Sequence, residues 1–373
     1  MDKTLLIVVN VDWLFLAHRL EIAKEALGQG FKVTVVARDT GRKAEIENAG
    51  FQFINLNISR LGVNPFFEFK TVYELFKIYK TLQPAIVYQV TMKPVIYGTI
   101  ITRFLNIKSV NAISGLGYNF TDKRRGYVQQ VMLFLMKIGF NKKDNFLVFE
   151  NEDDYKELDA LKIINNKNNH KIIKGVGVNL IDFKQEDFVK KEKLIILFSA
   201  RMLWDKGVKE FVEAAKILQE KYFDKAYFKL CGMIDEGNIA CVPENYLKEI
   251  EIKNYLKWYG HQKDIKSFYK NADIVVLPSY REGLPTSLIE ACAIGRPIIT
   301  TNAIGCKECV DEGLNGYKVP IKSTIKLAKA MEKLIVNSKL RKAMGIRSRQ
   351  KAEAEFDKKT VIKAHLKIFN EMI

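Results

Sequence analysis

Two glutamates eight positions apart, Glu282 and Glu290, stand in the segment PSYREGLPTSLIEACAIGRPIITTNAIGCKECVDEGLNGYKVP, residues 278–320. The first is followed by Gly283-Leu284-Pro285, and the second lies in an apolar-patterned helix that Gly295 and Pro297 end. Proline suits a first helical position, because its missing N–H has no partner there anyway. With Pro285 in that place, the free N–H groups of Thr286, Ser287 and Leu288 face solvent at the positive end of a helix dipole, a site for phosphate. At about 1.5 Å per residue, Glu290 lies roughly 7–8 Å beyond that end. Its carboxylate can take two hydrogen bonds from a diol while the helix end holds a diphosphate. Glu282, in the preceding loop, is free to reach the ligand's other side. The arrangement describes a nucleotide sugar, with the diphosphate at the helix end, the ribose on one acid and the hexose on the other. The competing reading is a surface helix whose early acid only complements the dipole.

This Glu-x7-Glu segment, flanked by Pro-Ser, Glu-Gly-x-Pro, Glu-Ala and Gly-x-Pro, resembles the donor-site signature of the family 4 retaining glycosyltransferases. The resemblance implies the α/β GT-B fold: two Rossmann-like domains facing across a cleft, with a C-terminal helix returning to the first. It also implies that an Arg and a Lys-Gly hold the donor diphosphate, which here are Arg201, Lys206 and Gly207. They follow the apolar run Leu194–Ser199, at a strand's carboxyl end where open α/β sheets bind ligands, and two cations there can clamp a diphosphate. Two solvated surface cations are the other reading. Gly232, after another strand, allows close approach of a ligand or of backbone. The loop 261–264 is expected along the nucleotide base or simply in solvent. No Asp-x-Asp occurs in the chain, so no metal or other cofactor is expected at the donor. Cys306-x-x-Cys309, a lone pair, makes a poor zinc site and reads as a structural loop.

The elements that must position these residues are legible as alternating apolar runs and helical patterns. Strands are expected at Leu5–Val9, Phe31–Ala37, Phe51–Asn55 and Ile86–Val90, with helices near Arg19–Gly28, Phe66–Leu82 and Tyr97–Leu105. That alternation signals a parallel sheet with helices on both faces. A second series runs from Leu194–Ser199 through Ile274–Leu277 to Pro297–Thr301. The domains are expected as 1–180 (acceptor side), a charged linker 181–193, 194–356 (donor side) and a final helix 357–373. No Gly-x-Gly-x-x-Gly follows the first strand, which argues against a dinucleotide.

Acceptor-side candidates lie at or after strand ends of the first domain: His18, Lys93, Gly115, Gly117 and Tyr118. The Lys-Pro-x-x-Tyr-Gly and Gly-Leu-Gly-Tyr elements look like a subgroup that extends undecaprenyl-linked glycans in bacterial surface-polysaccharide or glycoprotein pathways. Where many relatives carry a His, this chain has Tyr88 and Gln89, so a role falls to His18, against the reading of a structural histidine. Lys123-Arg124-Arg125, the apolar stretch 131–136 and Lys142-Lys143 read either as a core helix or as a segment meeting an anionic membrane.

The 373 residues carry 60 Lys plus Arg against 43 Asp plus Glu, a formal +17. That surplus favours anionic partners, but the cations are dispersed and form no nucleic-acid stripe, so nucleic acid is not expected as a partner. Five cysteines without a secretory signature point to a reduced, cytoplasmic protein, peripheral on the inner face of the cell membrane if the acceptor is lipid-linked. The expected activity is transfer of a hexose or N-acetylhexosamine from a UDP-sugar. The second reading is a UDP-sugar 2-epimerase of the same fold, disfavoured by the few acids in the acceptor-side stretches.

Overall fold

The computed structural model describes residues 3–59, 64–117, 126–164 and 169–373. The chain forms two compact units, Met1–Val176 with Lys359–Ile373, and Gly177–Lys358.

In the first unit the described elements are β1 (Thr4–Val11), α1 (Asp12–His18), α2 (Leu20–Gly28), β2 (Lys32–Arg38), α3 (Lys43–Asn48), β3 (Gln52–Asn55), α4 (Pro65–Leu82), β4 (Ile86–Val90), α5 (Met92–Leu105), β5 (Lys108–Ile113), α6 (Tyr127–Phe140), β6 (Asn145–Phe149), α7 (Glu152–Ala160) and β7 (Asn169–Ile172). The strands are all parallel, in the order β3-β2-β1-β4-β5-β6-β7. Parallel strands covered on both faces read as unbroken apolar runs, and β4 is buried at every residue.

The second unit comprises β8 (Leu194–Ser199), α8 (Val208–Tyr222), β9 (Ala226–Cys231), α9 (Glu244–Glu249), β10 (Leu256–Trp258), α10 (Ile265–Asn271), β11 (Ile274–Leu277), α11 (Thr286–Ile294), β12 (Ile298–Thr301), β13 (Gly316–Val319), α12 (Thr324–Val336) and α13 (Ser338–Glu355). Its sheet is also parallel, ordered β10-β9-β8-β11-β12-β13. The last helix, α14 (Lys358–Met372), belongs to the first unit, where Val361, His365, Leu366 and Phe369 join the core around Phe31 and Tyr88.

Several expectations shift. A helix, α1, stands between the expected strand Leu5–Val9 and the expected helix near Arg19–Gly28, and Asp12 opens it. The Asp12 carboxylate accepts from the Thr40 hydroxyl and from the N–H groups of Trp13, Thr40 and Arg42. Burial alone would raise its pKa, yet those bonds hold it below the ordinary value. Helix α5 begins at Met92 rather than near Tyr97, since Pro94 falls in the first turn, where proline is tolerated. Residues 181–193, read as a linker, lie inside the second unit. The fully buried Arg296 donates to the carbonyls of Glu186 (2.7 Å), Asp187 (3.3 Å) and Lys270 (2.8 Å), pinning that segment to α10 and the end of α11.

Candidate active site

In the second unit β8 pairs with both β9 and β11, so the strand order turns around between β8 and β11. Ligands in open α/β sheets sit at that switch point, outside the strands' carboxyl ends. One residue from each side meets there. Lys206 ends a 3-10 turn, Trp204–Lys206, after β8, and Glu282 lies in the loop after β11. Lys206 Nζ donates to both Glu282 oxygens, at 2.6 and 2.7 Å, and the Ser279 hydroxyl adds a third bond at 2.7 Å. Both charged side chains are 14% exposed, open enough to meet a ligand.

Backbone packing fixes the pair. Gly207 has φ +80°, and a Cβ there would lie 2.3 Å from the Pro278 carbonyl oxygen, so the turn after β8 rests directly on the chain leaving β11. On the other side the Glu282 N–H donates to the Ile304 carbonyl at 3.0 Å, and a Cβ on Gly305 would come within 2.2 Å of the Gly283 oxygen. The Thr301 hydroxyl donates to the Ser279 carbonyl. Beside the pair, burial pushes the Asp205 carboxyl up from its ordinary pKa, opposed by Lys206. Tyr280 donates from its hydroxyl to Glu210 at 2.7 Å and from its N–H to the Asp205 carbonyl at 2.8 Å.

Helix α11 starts one residue later than expected. Pro285 is its N-cap rather than its first helical residue, and Leu288, expected to offer a free N–H, donates it to the Pro285 carbonyl at 3.0 Å. The Leu288 side chain is fully buried. Thr286 and Ser287, half-buried, keep the outward N–H groups of the first turn. Gly283 and Leu284 lead into this turn, with Leu284 packed on the core. Further along, burial raises the Glu290 carboxyl to about 7, against Tyr269 and Lys358, which favour the charged form.

Other residues take different partners from those expected. Glu282 is not free in its loop but held by Lys206. Arg201 does not join that pair; it binds Asp235, with its own side chain 41% exposed. The close approach at Gly232 is backbone, since a Cβ would lie 1.6 Å from the Ala200 carbonyl oxygen. In the loop 261–264, Asp264 caps α10 by accepting from the Ser267 N–H at 3.2 Å. Cys306 and Cys309 are buried free thiols in and beside a short turn, Cys306 pushed up to about 12 by burial.

In the first unit His18 ends α1, half-buried. Lys93, in the first turn of α5, pairs with Glu68 of α4 at 2.5 Å, and the Tyr97 hydroxyl takes the other Glu68 oxygen. Gly115 (φ 93°) and Gly117 (φ 78°) form the turn after β5, and Tyr118 lies outside the described residues. Tyr88 and Gln89 are fully buried. The stretch 131–136, read as apolar on every side, is two-faced: Leu133 and Met136 enter the core, while Phe134 is exposed.

Sequence reasoning missed Asp205, Ser279, Tyr269 and Gly305. Ser279, the Ser of the Pro-Ser flanking the first glutamate, and Gly305, the Gly before Cys306, stood in the segment that carries the resemblance.

Residues 181–351 match the family described as glycosyl transferases group 1, and residues 4–151 the glycosyl transferase 4-like family. The chain belongs to the family 4 glycosyltransferases and has their GT-B architecture, with the retaining stereochemistry of that family. Among its relatives is the N,N'-diacetylbacillosaminyl-diphospho-undecaprenol alpha-1,3-N-acetylgalactosaminyltransferase of Campylobacter jejuni, 30% identical over 370 residues, 95% of each chain. The UDP-Gal:alpha-D-GlcNAc-diphosphoundecaprenol alpha-1,3-galactosyltransferase of Escherichia coli is 27% identical over 262 residues, 68% of this chain and 67% of that one. In fold the chain is similar to Anabaena Alr3699/HepE, solved in complex with UDP-glucose: TM-score 0.79, 16% identity, 99% of both chains.

Proposed function

We propose that this enzyme transfers a hexose or N-acetylhexosamine from a UDP-sugar to a polyprenyl-diphosphate-linked saccharide in bacterial surface-glycan synthesis. The observation that carries the reading is the Lys206–Glu282 pair at the switch point, beside the open first turn of α11. The named activities of the Campylobacter and Escherichia coli relatives, both glycosyl transfers to diphospho-undecaprenol acceptors, support the acceptor class.

In this reading the bond from the sugar's anomeric carbon to the β-phosphate oxygen breaks. A bond to an acceptor hydroxyl oxygen forms on the same face, the hydroxyl proton passes to the departing phosphate oxygen, and UDP leaves. Lys206, Arg201 and the N–H groups of Thr286 and Ser287 stabilise the charge that develops on the diphosphate. They take the part a divalent cation plays elsewhere. Glu282 orients hexose hydroxyls and Glu290 the ribose diol. The ion pair is then the state Lys206 and Glu282 hold between turnovers, opening as the phosphate takes the lysine and the sugar the carboxylate. Gly207, Gly283, Leu284, Pro285 and Leu288 shape the backbone around the donor, and Gly232 supports it by packing. His18, Lys93, Gly115, Gly117 and Tyr118 serve the acceptor.

A lipid-linked acceptor must be met at a membrane, and among the described residues no helix is long and apolar enough to cross one. Helix α4 offers a surface for peripheral contact instead. Phe66, Phe69 and Tyr73 follow helical spacing along one face and are 90%, 75% and 50% exposed, and the ring of Phe104 of α5, 79% exposed, lies tilted beside that of Phe76. Lys70, Lys77, Lys80 and Arg103 are exposed around them, while Glu68 is held by Lys93 and Tyr97. Apolar rings flanked by cations fit an anionic leaflet.

The test supplies a panel of UDP-sugars with membrane lipid extract, with and without EDTA, and follows label into butanol-soluble product. Transfer from at least one donor, insensitive to EDTA and lost in Lys206→Ala, is expected. No transfer from any UDP-sugar would overturn the reading, and an acceptor-free change of sugar configuration would favour epimerase chemistry. Phe66→Ser/Phe69→Ser is expected to lower co-flotation with phosphatidylglycerol vesicles while leaving UDP binding unchanged.

A further inference from the structure

One buried cation in the first unit is used by nothing described so far. Arg19 joins α1 to α2: its N–H donates to the Phe15 carbonyl at 2.8 Å and its carbonyl accepts from Ala23 at 3.0 Å. The side chain turns inward and the residue is 3% exposed. Nη1 donates to the His18 carbonyl at 3.0 Å, and Nη2 to the Ser114 hydroxyl at 3.3 Å. The nearest carboxylate oxygen, on Glu150, is 3.9 Å from Nη2, beyond hydrogen-bond range. Nε is buried with no partner.

Such a cation is a costly way to fill space. A charge loosely paired in the interior is often replaced by a packed apolar side chain with no loss of stability. What an apolar replacement could not reproduce is the connection. Ser114 directly follows β5 and precedes the Gly115 turn, Glu150 directly follows β6, and His18 closes the segment that follows β1. Three carboxyl-end segments of one sheet thus converge on a single planar group, whose fork can bond in two directions at once. The Arg19 to Ser114 bond spans 95 positions of sequence.

We propose that Arg19 is a positioning residue of the acceptor side. It fixes His18 and the Gly115–Gly117 turn relative to each other, so that the acceptor saccharide meets a preformed face. This rests on the glycosyl-transfer reading above, and it assigns Arg19 no contact with substrate.

The experiment uses the full chain with Arg19→Gln, Arg19→Lys and Ser114→Ala. Kinetics are read with undecaprenyl-diphosphate-linked N-acetylhexosamine as acceptor, and donor binding by calorimetry with UDP. The chain has four histidines, so the His18 ring resonance, identified by its loss in His18→Asn, reports local order without any turnover. Arg19→Gln is expected to lower acceptor kcat/KM by 30-fold or more, with UDP affinity within twofold of wild type and the His18 signal shifted or broadened. Arg19→Lys should recover part of the loss, since an ammonium reaches one of the two partners, and Ser114→Ala should lose three- to tenfold. Acceptor kinetics within twofold of wild type in Arg19→Gln would overturn the proposal, as would an equal loss of UDP affinity. If Arg19→Gln does not fold, Ser114→Ala decides: reduced acceptor kcat/KM at unchanged Tm supports the assignment, and wild-type kinetics defeats it. If the wild type transfers to no polyprenyl acceptor, the functional reading fails by itself, while an unmoved His18 signal in Arg19→Gln would separately sink the positioning role.

Discussion

The two sheets share a parallel, doubly wound architecture and differ in what they do with charge at their carboxyl ends. In the second unit Lys206 and Glu282 meet across the switch point, each still touching solvent, and each can exchange its partner for a ligand group. In the first, Arg19 and His365 are sealed inside, and their partners are protein. The same fold therefore leaves the Lys206–Glu282 pair open to solvent and closes Arg19 and His365 off among protein groups. Removing a charge of the open Lys206–Glu282 pair in the second unit should cost activity and little stability. In the first it should cost stability or geometry, leaving the donor site intact.

The sharpest way to break this contrast is Lys206→Ala. Loss of one preorganised donor to a leaving group costs about 10²–10³-fold in kcat, and we expect at least that loss of transfer. Glu282 is left without its cation, but solvent can reach it, so Tm should move only a few degrees. Glu282→Ala should likewise abolish transfer in a folded protein. Steady-state transfer beside calorimetric melting checks both. Near-wild-type turnover, or collapse of the second unit, would mean that the exposed pair is structural after all.

Reading the chain captured the second unit better than the first, for physical reasons. Runs buried on both faces announce themselves, and Ile86–Val90, Leu194–Ser199 and Ile274–Leu277 fall on β4, β8 and β11 with the same bounds. Helix α1 was missed because seven residues, Asp12–His18, are too few to establish a period, and Trp13 to Leu16 are apolar throughout. The Glu-x7-Glu spacing singled out the loop after β11 that we propose holds the donor. It could not reveal that Glu282 is bound to Lys206, because 76 positions separate them and only the sheet order brings them together. Gly305 gave no sign of its role, since its constraint is the Glu282–Gly283 backbone above it. Nothing in the spacing around Arg19 could show its burial, which depends on the ends of β5 and β6.

A smaller effect concerns Glu290. With its carboxyl raised by burial to about 7, the form able to accept two ribose hydrogen bonds is about one tenth populated at pH 6 and nine tenths at pH 8. UDP affinity should therefore rise roughly tenfold from pH 6 to 8 in the wild type. Glu290→Gln should bind more weakly than wild type at pH 8 and show no midpoint near 7. Titration calorimetry across that range checks this, and a midpoint that survives the substitution would assign it to another group.

The smallest effect, in melting temperature, sets the two units directly against each other. Burial, reinforced by the Arg19 cation, depresses His365 to about 3, although its bond to the Val361 carbonyl opposes this. The ordinary value is 6.5, so between about 3 and 6.5 the unfolded chain binds the extra proton and stability rises with pH, by at most about 1.4 kcal/mol per pH unit. Glu290 has the opposite sign. Its folded pKa near 7 lies above the ordinary 4.5, so the folded state holds the extra proton between those values, and stability falls as pH rises through them. The two slopes oppose each other from about 4.5 to 6.5, one in each unit. If the units melt separately, the first transition should climb and the second decline over that range. If they melt together, the wild-type profile should be nearly flat. His365→Phe, which keeps a ring against Tyr88 and Phe369, should then leave stability falling with pH, and Glu290→Gln should leave it rising. A wild-type slope unchanged by either substitution would show that these buried groups do not govern the acid range, and the contrast between sealed and open charge would have to rest on activity alone.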